Sequence, residues 1–207
     1  MLINLRNALM TGKRLPYDAE VEYLESTGTQ WIDTGVAFSK LYTFKLCARL
    51  TPTVNERDLF GAYYQTAENK MVCGCYSRFI FGFNPPGARI DSATLGTSEL
   101  DVDIVYAFSS AGRTLTVNGT TYSATGAYTN GLNVTLFRAN PGYDGAFKCY
   151  SFKIYDTDGS TLVRDYIPVR KGTVGYLYDR VSGKLFGNAG TGDFGYGNDL
   201  PLGTLAN

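Results

Sequence analysis

Three acidic residues alternate along one stretch of the chain and are, by type and spacing, the best candidates for chemistry. Glu99, Asp101 and Asp103 fall on the same side of a predicted strand. Paired carboxylates supply the acid and the nucleophile or base of glycoside hydrolysis. Positions i and i+4 of a strand lie about 13 Å apart along the backbone, whereas retaining hydrolysis needs carboxyl groups about 5–5.5 Å apart. The same spacing is typical of a solvated strand face opposite apolar Leu100 and Val102, and we favour that interpretation.

The segment Asp156-Thr157-Asp158-Gly159-Ser160 is the second candidate for chemistry, because oxygen-bearing side chains alternate before a glycine as in part of a calcium loop. The rest of an EF-hand loop is missing, and Asp158-Gly159 is itself a hairpin turn signal. We therefore predict no metal-ligating residues and no cofactor, and leave open a structural calcium ion bound elsewhere by loop carbonyls.

The absence of histidine and the spacing of the cysteines exclude or disfavour several classes of enzyme. With no histidine in the sequence, Ser-His-Asp and Cys-His nucleophiles and most catalytic zinc sites are excluded. The four cysteines are Cys47, Cys73, Cys75 and Cys149. A single C-x-C pair is a poor zinc signature. We interpret these residues as buried thiols, with a disulfide between two strands as the alternative.

Composition favours a β protein and disfavours two kinds of partner. The 207 residues include 16 Tyr, 12 Phe and 24 Gly, a combination typical of strands and tight turns. The 19 basic residues balance the 19 acidic ones, which argues against nucleic acid as a partner. No apolar run approaches the roughly 20 residues needed to cross a bilayer, so we predict no membrane insertion.

Two-residue periodicity recurs along the chain and indicates β-strands. These strands must position any functional side chains. Residues 43–50 and 99–108 alternate apolar and polar side chains, as half-buried strands do. Tyr150, Phe152 and Ile154 are predicted to share one buried strand face. Since each apolar face needs another to cover it, we predict an all-β fold, a two-sheet antiparallel β-sandwich.

Turn residues punctuate these strands. Three dipeptides predict tight hairpin turns: Asn118-Gly119, Asp158-Gly159 and Ser182-Gly183. Pro168 has no amide hydrogen to donate, so we expect it to end its strand or to confine that strand to an edge.

The ends of the chain are predicted to differ from the middle. Residues 1–17 are interpreted as an attachment or oligomerisation segment, helical or extended, with a helix lying on its own domain as the alternative. Arg6 and Asn7 interrupt the apolar residues of this segment, so it is not expected to be a secretory signal. Residues 18–196 form the predicted β-sandwich domain, and residues 197–207 are expected to be an extended tail.

Glycan binding would need an aromatic surface and a few hydrogen-bonding side chains on loops at the rim of a sheet. Six residues in or beside loops meet that description: Tyr63, Tyr64, Asn84, Arg89, Tyr143 and Asp144. Trp31, the single tryptophan, could stack on a sugar or pack at the core or rim of the domain, and we favour packing.

Several stretches resemble a known group of domains. EYLESTGTQWIDTGV near the start, LTVNGTTYS in the middle, and FKIYD, LVRDYIPVR and VGYLYDRVSGKLFGNAGTGDF near the end are similar to laminin G-like, concanavalin A-like jelly-roll domains. The branch they resemble occurs in gut-bacterial surface proteins and their phages. The resemblance implies a binding or adhesion role, often toward glycans, with calcium in some members. Laminarinase-type hydrolases of this architecture carry Glu-x-Asp-x-Glu, whereas the third carboxylate here is Asp103.

We therefore expect a non-enzymatic binding or adhesion protein. The leading hypothesis is a phage virion component, such as a fibre, tail-tip or capsid-decorating protein, that assembles in the host cytoplasm and presents its jelly roll to host surface glycans. Its partners would be glycans and other virion proteins, and a homo-oligomer, with a trimer favoured, is expected. The alternatives are a carbohydrate-binding module or adhesin of the bacterial cell surface and, less favoured, a glycoside hydrolase using Glu99 and Asp103.

Overall fold

The computed structural model describes residues 15–50, 57–63, 70–75, 79–83, 90–91, 100–109, 112–124 and 129–206. In chain order its strands are β1 (Ala19–Val21), β2 (Leu24–Glu25), β3 (Ile32–Ala37), β4 (Thr43–Leu50), β5 (Arg57–Ala62), β6 (Met71–Cys75), β7 (Phe79–Phe83), β8 (Ile90–Asp91), β9 (Leu100–Ser109), β10 (Gly112–Val117), β11 (Thr120–Ala124), β12 (Asn133–Leu136), β13 (Phe147–Tyr155), β14 (Leu162–Lys171), β15 (Val174–Asp179), β16 (Lys184–Phe186), β17 (Gly195–Tyr196) and β18 (Asp199–Leu200). A short 3₁₀ helix (Thr204–Ala206) follows.

These strands form two antiparallel sheets. The larger sheet has 12 strands and runs β11-β10-β9-β4-β13-β14-β1-β18, with β15 and β16 continuing from β14, and β2 and β17 from β13. The smaller sheet has six strands in the order β3-β12-β5-β6-β7-β8. The predicted fold class, an all-β two-sheet sandwich, is confirmed.

Aromatic side chains fill the space between the sheets. Phe44 and Phe152 of the larger sheet stack with ring centroids 6.3 Å apart, and Phe60 of the smaller sheet lies 5.3 Å from each of them. Tyr166 extends the stack from Phe152 at 6.1 Å. All four side chains are fully buried. Burial of each contributes about 1.5–3 kcal/mol relative to exposure, so this group holds the two layers together.

Strand periodicity is confirmed in β4 and fails at one position in β13. In β4, Phe44, Leu46, Ala48 and Leu50 are buried. In β13 the pairing with β4 shifts by one residue between Cys149 and Ser151. This bulge turns Tyr150 away from the buried face that Phe152 occupies, and Tyr150 lies half-buried against Tyr23, ring centroids 6.0 Å apart. The expectation that Tyr150 shares the buried face of Phe152 is wrong, because an extra residue inverts the alternation.

The three predicted hairpin turns are confirmed. Asn118 and Gly119 adopt φ of 47° and 81° between β10 and β11. Gly159 and Gly183 have φ of 68° and 72° in the turns that follow β13 and β15. Left-handed backbone of this kind favours glycine and asparagine, which is why the dipeptides were predictive.

Pro168 does not end its strand. β14 continues through it to Lys171 and pairs with β15 on one side, where Pro168 lies opposite Leu177. On the other side the ladder with β13 ends at Tyr166 and the ladder with β1 begins at Val169. Pro168 therefore occupies the gap between two partners, where its missing amide interrupts no ladder.

The C-terminal residues are packed, which differs from the expected extended tail. β18 pairs with β1 at the edge of the larger sheet. The fully buried carboxylate of Glu20 in β1 accepts backbone hydrogen bonds from Gly203 and Leu205, both at 3.0 Å. Arg180 donates to the Leu205 carbonyl. A buried acidic side chain thus holds a chain end that sequence composition suggested was free.

Residues 15–17 also pack on the larger sheet. Leu15 contacts a small apolar cluster that contains Tyr17, Ile167 and Val169, and Asp18 donates its backbone N–H to the Arg170 carbonyl at 2.9 Å. Residues 1–14 lie outside the described residues, so the division of the chain into segment, domain and tail stays a prediction. Within the described part of the chain, no helix has the length and hydropathy needed to cross a membrane.

Candidate ligand-binding cleft

A cleft of about 350 Å³ opens where three loops meet at one end of the sandwich. The loops join β2 to β3, β12 to β13, and β16 to β17, and the first two pass between the sheets. The cleft is lined by Thr29, Trp31, Arg138, Asp144, Ala189, Gly190 and Thr191. Loops held on a rigid two-sheet scaffold are the usual location of binding residues.

The β16–β17 loop fixes the backbone of the β2–β3 loop. Ala189 donates its N–H to the Trp31 carbonyl at 2.8 Å, and Thr191 donates to the Thr29 carbonyl at 3.1 Å. The Asn188 side-chain oxygen accepts the Trp31 N–H at 3.1 Å. With both its N–H and its carbonyl bonded, the Trp31 backbone is held in place by a segment more than 150 residues away in sequence.

Gly190 allows that loop to pass directly beside the indole. A Cβ at this position would lie 2.1 Å from the Thr29 carbonyl oxygen and 2.8 Å from Trp31 Cδ1. Both separations are shorter than a van der Waals contact, so a larger residue would force the backbone to move. Glycine is required here by close approach of the chain to the ring.

Arg138 joins the aromatic and acidic parts of the cleft. Its guanidinium lies 4.6 Å from the centroid of the Trp31 ring. Its Nη2 donates to Asp144 Oδ2 at 2.7 Å, and its Nε donates to Asp144 Oδ1. The side chains of Arg138 and Asp144 are 22% and 11% exposed, so the pair is only partly screened by solvent. A planar guanidinium that stacks on an aromatic ring and forks onto a carboxylate is held in one orientation.

The backbone before Arg138 is in a rarely populated conformation. Phe137 has φ of 66°, which costs of order 1–3 kcal/mol in a residue other than glycine. The fully buried Phe137 ring is held between Phe147 and Phe194, at centroid distances of 4.5 and 5.1 Å. Thr135 donates its hydroxyl to the Arg138 carbonyl. Packing of the Phe137 ring therefore stabilises the turn that directs Arg138 to the cleft.

Asp58 anchors the loop that carries Asp144. The buried Asp58 carboxylate accepts the Asn140 N–H at 2.6 Å, and the Asp58 N–H donates to the Tyr143 carbonyl at 3.0 Å. A Cβ on Gly145 would lie 2.3 Å from the Asp58 carbonyl oxygen. The loop therefore lies tightly along β5, which limits the movement of Asp144.

Donors in the cleft remain available to a ligand. Arg138 Nη1 and the Trp31 indole N–H make no hydrogen bond to a described protein group, and neither does the Thr191 hydroxyl, whereas Thr29 donates its hydroxyl to the Thr191 carbonyl at 3.1 Å. A half-buried aromatic ring beside such donors and a carboxylate acceptor is the combination that binds a small polar ligand with an apolar face.

Of the six residues predicted from sequence to bind a glycan, the structure describes Tyr63, Tyr143 and Asp144. Asp144 lines the cleft, and Tyr143 beside it is 43% exposed but is not part of the lining. The Tyr63 hydroxyl accepts a hydrogen bond from Lys70 Nζ at 3.0 Å. The remaining candidates, Tyr64, Asn84 and Arg89, lie outside the described residues.

Sequence reasoning missed Arg138 and assigned Trp31 to packing. Trp31 does pack against the core, and it also lines the cleft, while stacking of a sugar on its ring stays a prediction. Arg138 lies 107 positions after Trp31 in the sequence, and no local pattern connects them. The Gly-rich segment GNAGTGDF was a signal for close approach of backbone, but not for what it approaches.

The carboxylates Glu99, Asp101 and Asp103 and the turn at Asp158 are the other candidates for chemistry that the sequence offers. Asp103 is exposed in β9, while Glu99 and the side chain of Asp101 lie outside the described residues. Asp158 is engaged in its own turn by Ser160 and Thr161. Within the described residues, no three His, Cys, Asp or Glu side chains are grouped closely enough to hold a metal ion.

None of the four cysteines forms a disulfide. Cys73 and Cys149 are buried, and burial raises the pKa of both well above the usual thiol value. Half-buried Cys75 has its pKa raised to about 11 for the same reason. These thiols are therefore protonated near neutral pH and unsuited to nucleophilic chemistry.

Comparison with protein-family profiles and with curated protein sequences gives no match. Among solved structures, the fold is similar to that of a proposed carbohydrate-binding protein from Bacteroides ovatus, with a TM-score of 0.58 and 10% sequence identity. The similar region covers 86% of this chain and 61% of that one, so this chain spans less than two thirds of that protein. At this identity the similarity shows a shared sandwich fold. Membership of the laminin G-like group stays a prediction.

Proposed function

We propose that this protein is a non-enzymatic carbohydrate-binding protein and that the Trp31–Arg138–Asp144 cleft is its sugar site. The observation that carries the proposal is the guanidinium of Arg138 held between an indole ring and a carboxylate at the meeting point of three loops. The fold shared with a proposed carbohydrate-binding protein supports carbohydrate binding by analogy, and the assignment of the site rests on the geometry of the cleft.

Sugar recognition follows from the chemistry of the lining. The ring C–H groups of a pyranose form an apolar face that packs on aromatic surface. Its hydroxyls accept from Arg138 Nη1 and the indole N–H and donate to carboxylate oxygen. Since the loops are fixed by backbone hydrogen bonds between residues 29–31 and 188–191, little ordering entropy is lost on binding.

The composition of the cleft supports binding rather than hydrolysis. Glycoside hydrolases use two carboxyl groups on opposite sides of the scissile bond. Among the described residues that line the cleft, Asp144 is the one carboxylate. It forms a bidentate pair with Arg138, and so is suited to hold a hydroxyl rather than to transfer a proton.

A glycan array followed by titration tests the proposal. Because Trp31 is the single tryptophan, a sugar in the cleft should change the intrinsic fluorescence of the protein. Replacement Arg138→Ala should weaken binding at least tenfold, about 1.4 kcal/mol, because it removes both the stacking cation and the partner of Asp144. The matched control is Arg170→Ala, which breaks an equivalent exposed pair with Asp199 at the sheet edge. Equal affinity in both variants would place the sugar elsewhere.

We further propose the setting expected from the sequence, a phage virion component whose jelly roll faces host glycans, with the bacterial cell surface as the alternative. Mass spectrometry of purified phage particles tests this directly, since a virion component co-purifies at a fixed copy number. Recovery only in the bacterial envelope fraction would favour the alternative.

A further inference from the structure

The two charged residues in the described lining of the cleft carry opposite charges and pair with each other. Among its described lining residues, Arg138 is the one cation and Asp144 the one anion, and the other five are uncharged. The two are joined by two hydrogen bonds, from Nε and from Nη2. At this pair a ligand therefore meets a donor and an acceptor in fixed positions, and the charges of the two side chains compensate each other.

We propose, on the basis of the sugar site above, that the cleft selects neutral sugars and rejects sugars that carry a carboxylate or a sulfate. Arginine recognises an anionic group through its planar fork of N–H donors. Here Asp144 already occupies one edge of that fork, and its carboxylate stays beside any incoming ligand. Juxtaposed like charges are unfavourable and act as a negative determinant of specificity.

Neutral hydroxyls suit the donors that remain. The N–H groups of Arg138 Nη1 can donate to a ligand, because Arg138 makes side-chain hydrogen bonds only through Nε and Nη2 among the described residues. Hydroxyls can both accept from this nitrogen and donate to carboxylate, whereas a ligand carboxylate can only accept. The volume of about 350 Å³ is near the lower end of the ~300–1,000 Å³ range of small-ligand sites. We therefore assign the cleft to the end of a glycan chain.

Asp144→Asn should convert the preference. The amide keeps the shape and one acceptor oxygen but removes the negative charge, so Arg138 becomes an uncompensated cation at the cleft. Affinity for neutral sugars should fall several-fold, and affinity for the acidic counterparts should rise at least tenfold. The matched control is Asp199→Asn, because Asp199 also pairs through two hydrogen bonds with an arginine, Arg170, outside the cleft.

The test uses the full chain and pairs of glycans that share a backbone and differ only in a terminal hexose or uronic acid, or in a sulfate. The inference is supported if the wild-type protein binds the neutral glycan at least tenfold more tightly than the acidic one. It is supported further if this preference is reversed in Asp144→Asn but not in Asp199→Asn. Equal or tighter binding of the acidic member by wild type overturns the inference and leaves the sugar site standing. Binding of neither class overturns the proposed function itself, and the inference with it. The wild-type comparison decides the matter even where Asp144→Asn lowers stability.

Discussion

Gly190 matters because of an atom it lacks. Its missing side chain leaves room for the Thr29 carbonyl and the edge of Trp31, which a Cβ would approach to 2.1 and 2.8 Å. Gly190→Ala should therefore push the loop off the indole. We expect binding of the array-identified glycan to fall at least tenfold, a shift in tryptophan emission, and a loss of about 1–3 kcal/mol in stability from overpacking.

Gly195→Ala is the matched control for this substitution. A Cβ at Gly195 would meet its nearest neighbour, Glu25, at 3.5 Å, an ordinary van der Waals contact. Fluorescence and affinity should stay at wild-type values in this variant. If Gly190→Ala leaves both unchanged as well, the loop does not define the cleft.

Asp158 provides a pH-dependent prediction at a single residue. The Thr161 hydroxyl, the Thr161 N–H and the Ser160 N–H bind its charged form and lower its pKa from 3.8 to about 2. Because the folded pKa is below the unfolded value, the stabilisation is present above about pH 4 and is lost as the pH falls through about 2. Carboxyl titration by NMR should find this low pKa in wild type and a higher one in Thr161→Ala. Thr157→Ala should leave the pKa of Asp158 unchanged, since Thr157 bonds to Asp156.

At the residue scale, local sequence patterns identified part of the cleft. Asp144 lies in a predicted loop beside a tyrosine, and Trp31 is the single tryptophan, so the sequence itself marks both. Arg138 was not found, because its role depends on a left-handed Phe137 and on a ring far away in sequence. A non-glycine residue with positive φ has no local signature when tertiary packing imposes it.

At the scale of elements, alternation predicts a strand but not its irregularities. The alternation of buried and half-buried residues in β4 followed from its sequence. The bulge between Cys149 and Ser151 did not, because the polar residue that follows Tyr150 fits either phase of the pattern. Pro168 was tolerated inside β14 because two partner strands leave a gap beside it, and that gap depends on the order of strands in the sheet.

The edge formed by β1, β18 and the 3₁₀ helix depends on Glu20. Its buried carboxylate accepts from Gly203 and Leu205, so Glu20→Ala leaves two backbone N–H groups without their acceptor. Both hydrogen bonds are partly buried, and a hydrogen bond to a charged group contributes about 1.5–3 kcal/mol. We expect a loss of that order in urea denaturation, with faster hydrogen exchange at the amides of residues 203 and 205.

Leu202→Ala is the control for the Glu20→Ala variant. Leu202 is 49% exposed, so its truncation should change stability by less than about 0.5 kcal/mol. Slow exchange at residues 203 and 205 in Glu20→Ala would show that something other than the carboxylate holds the chain end.

At the scale of the whole molecule, fold class followed from periodicity because each apolar face requires a covering layer. The order of strands within the two sheets did not follow, since β4 pairs with β9 and β13, which lie about 50 and 100 residues further along the chain. The cleft depends on that order, because it brings the β2–β3, β12–β13 and β16–β17 loops to one place. From a single sequence, the residue types of such a site are easier to predict than which of those residues lie close together in the fold.

The predicted assembly can be tested without disturbing the sandwich. Leu15 and Tyr17 belong to an apolar cluster on β14 and its neighbours, so a chain that begins at Leu15 keeps every described contact of the domain. If residues 1–14 form the oligomerisation segment, light scattering after size exclusion should give a multiple of the 22.6 kDa chain, with a trimer favoured, for the full-length protein and a monomer for the shortened one.

The unfolding midpoint of the domain and its affinity for a monovalent sugar should stay the same in both, because the cleft lies within one chain. Avidity for a surface coated with the same sugar should fall by a factor of 10²–10⁴ when the copies separate. Equal masses for the two proteins would contradict the assembly role, and they would leave the single-chain sugar site as the basis of any adhesion.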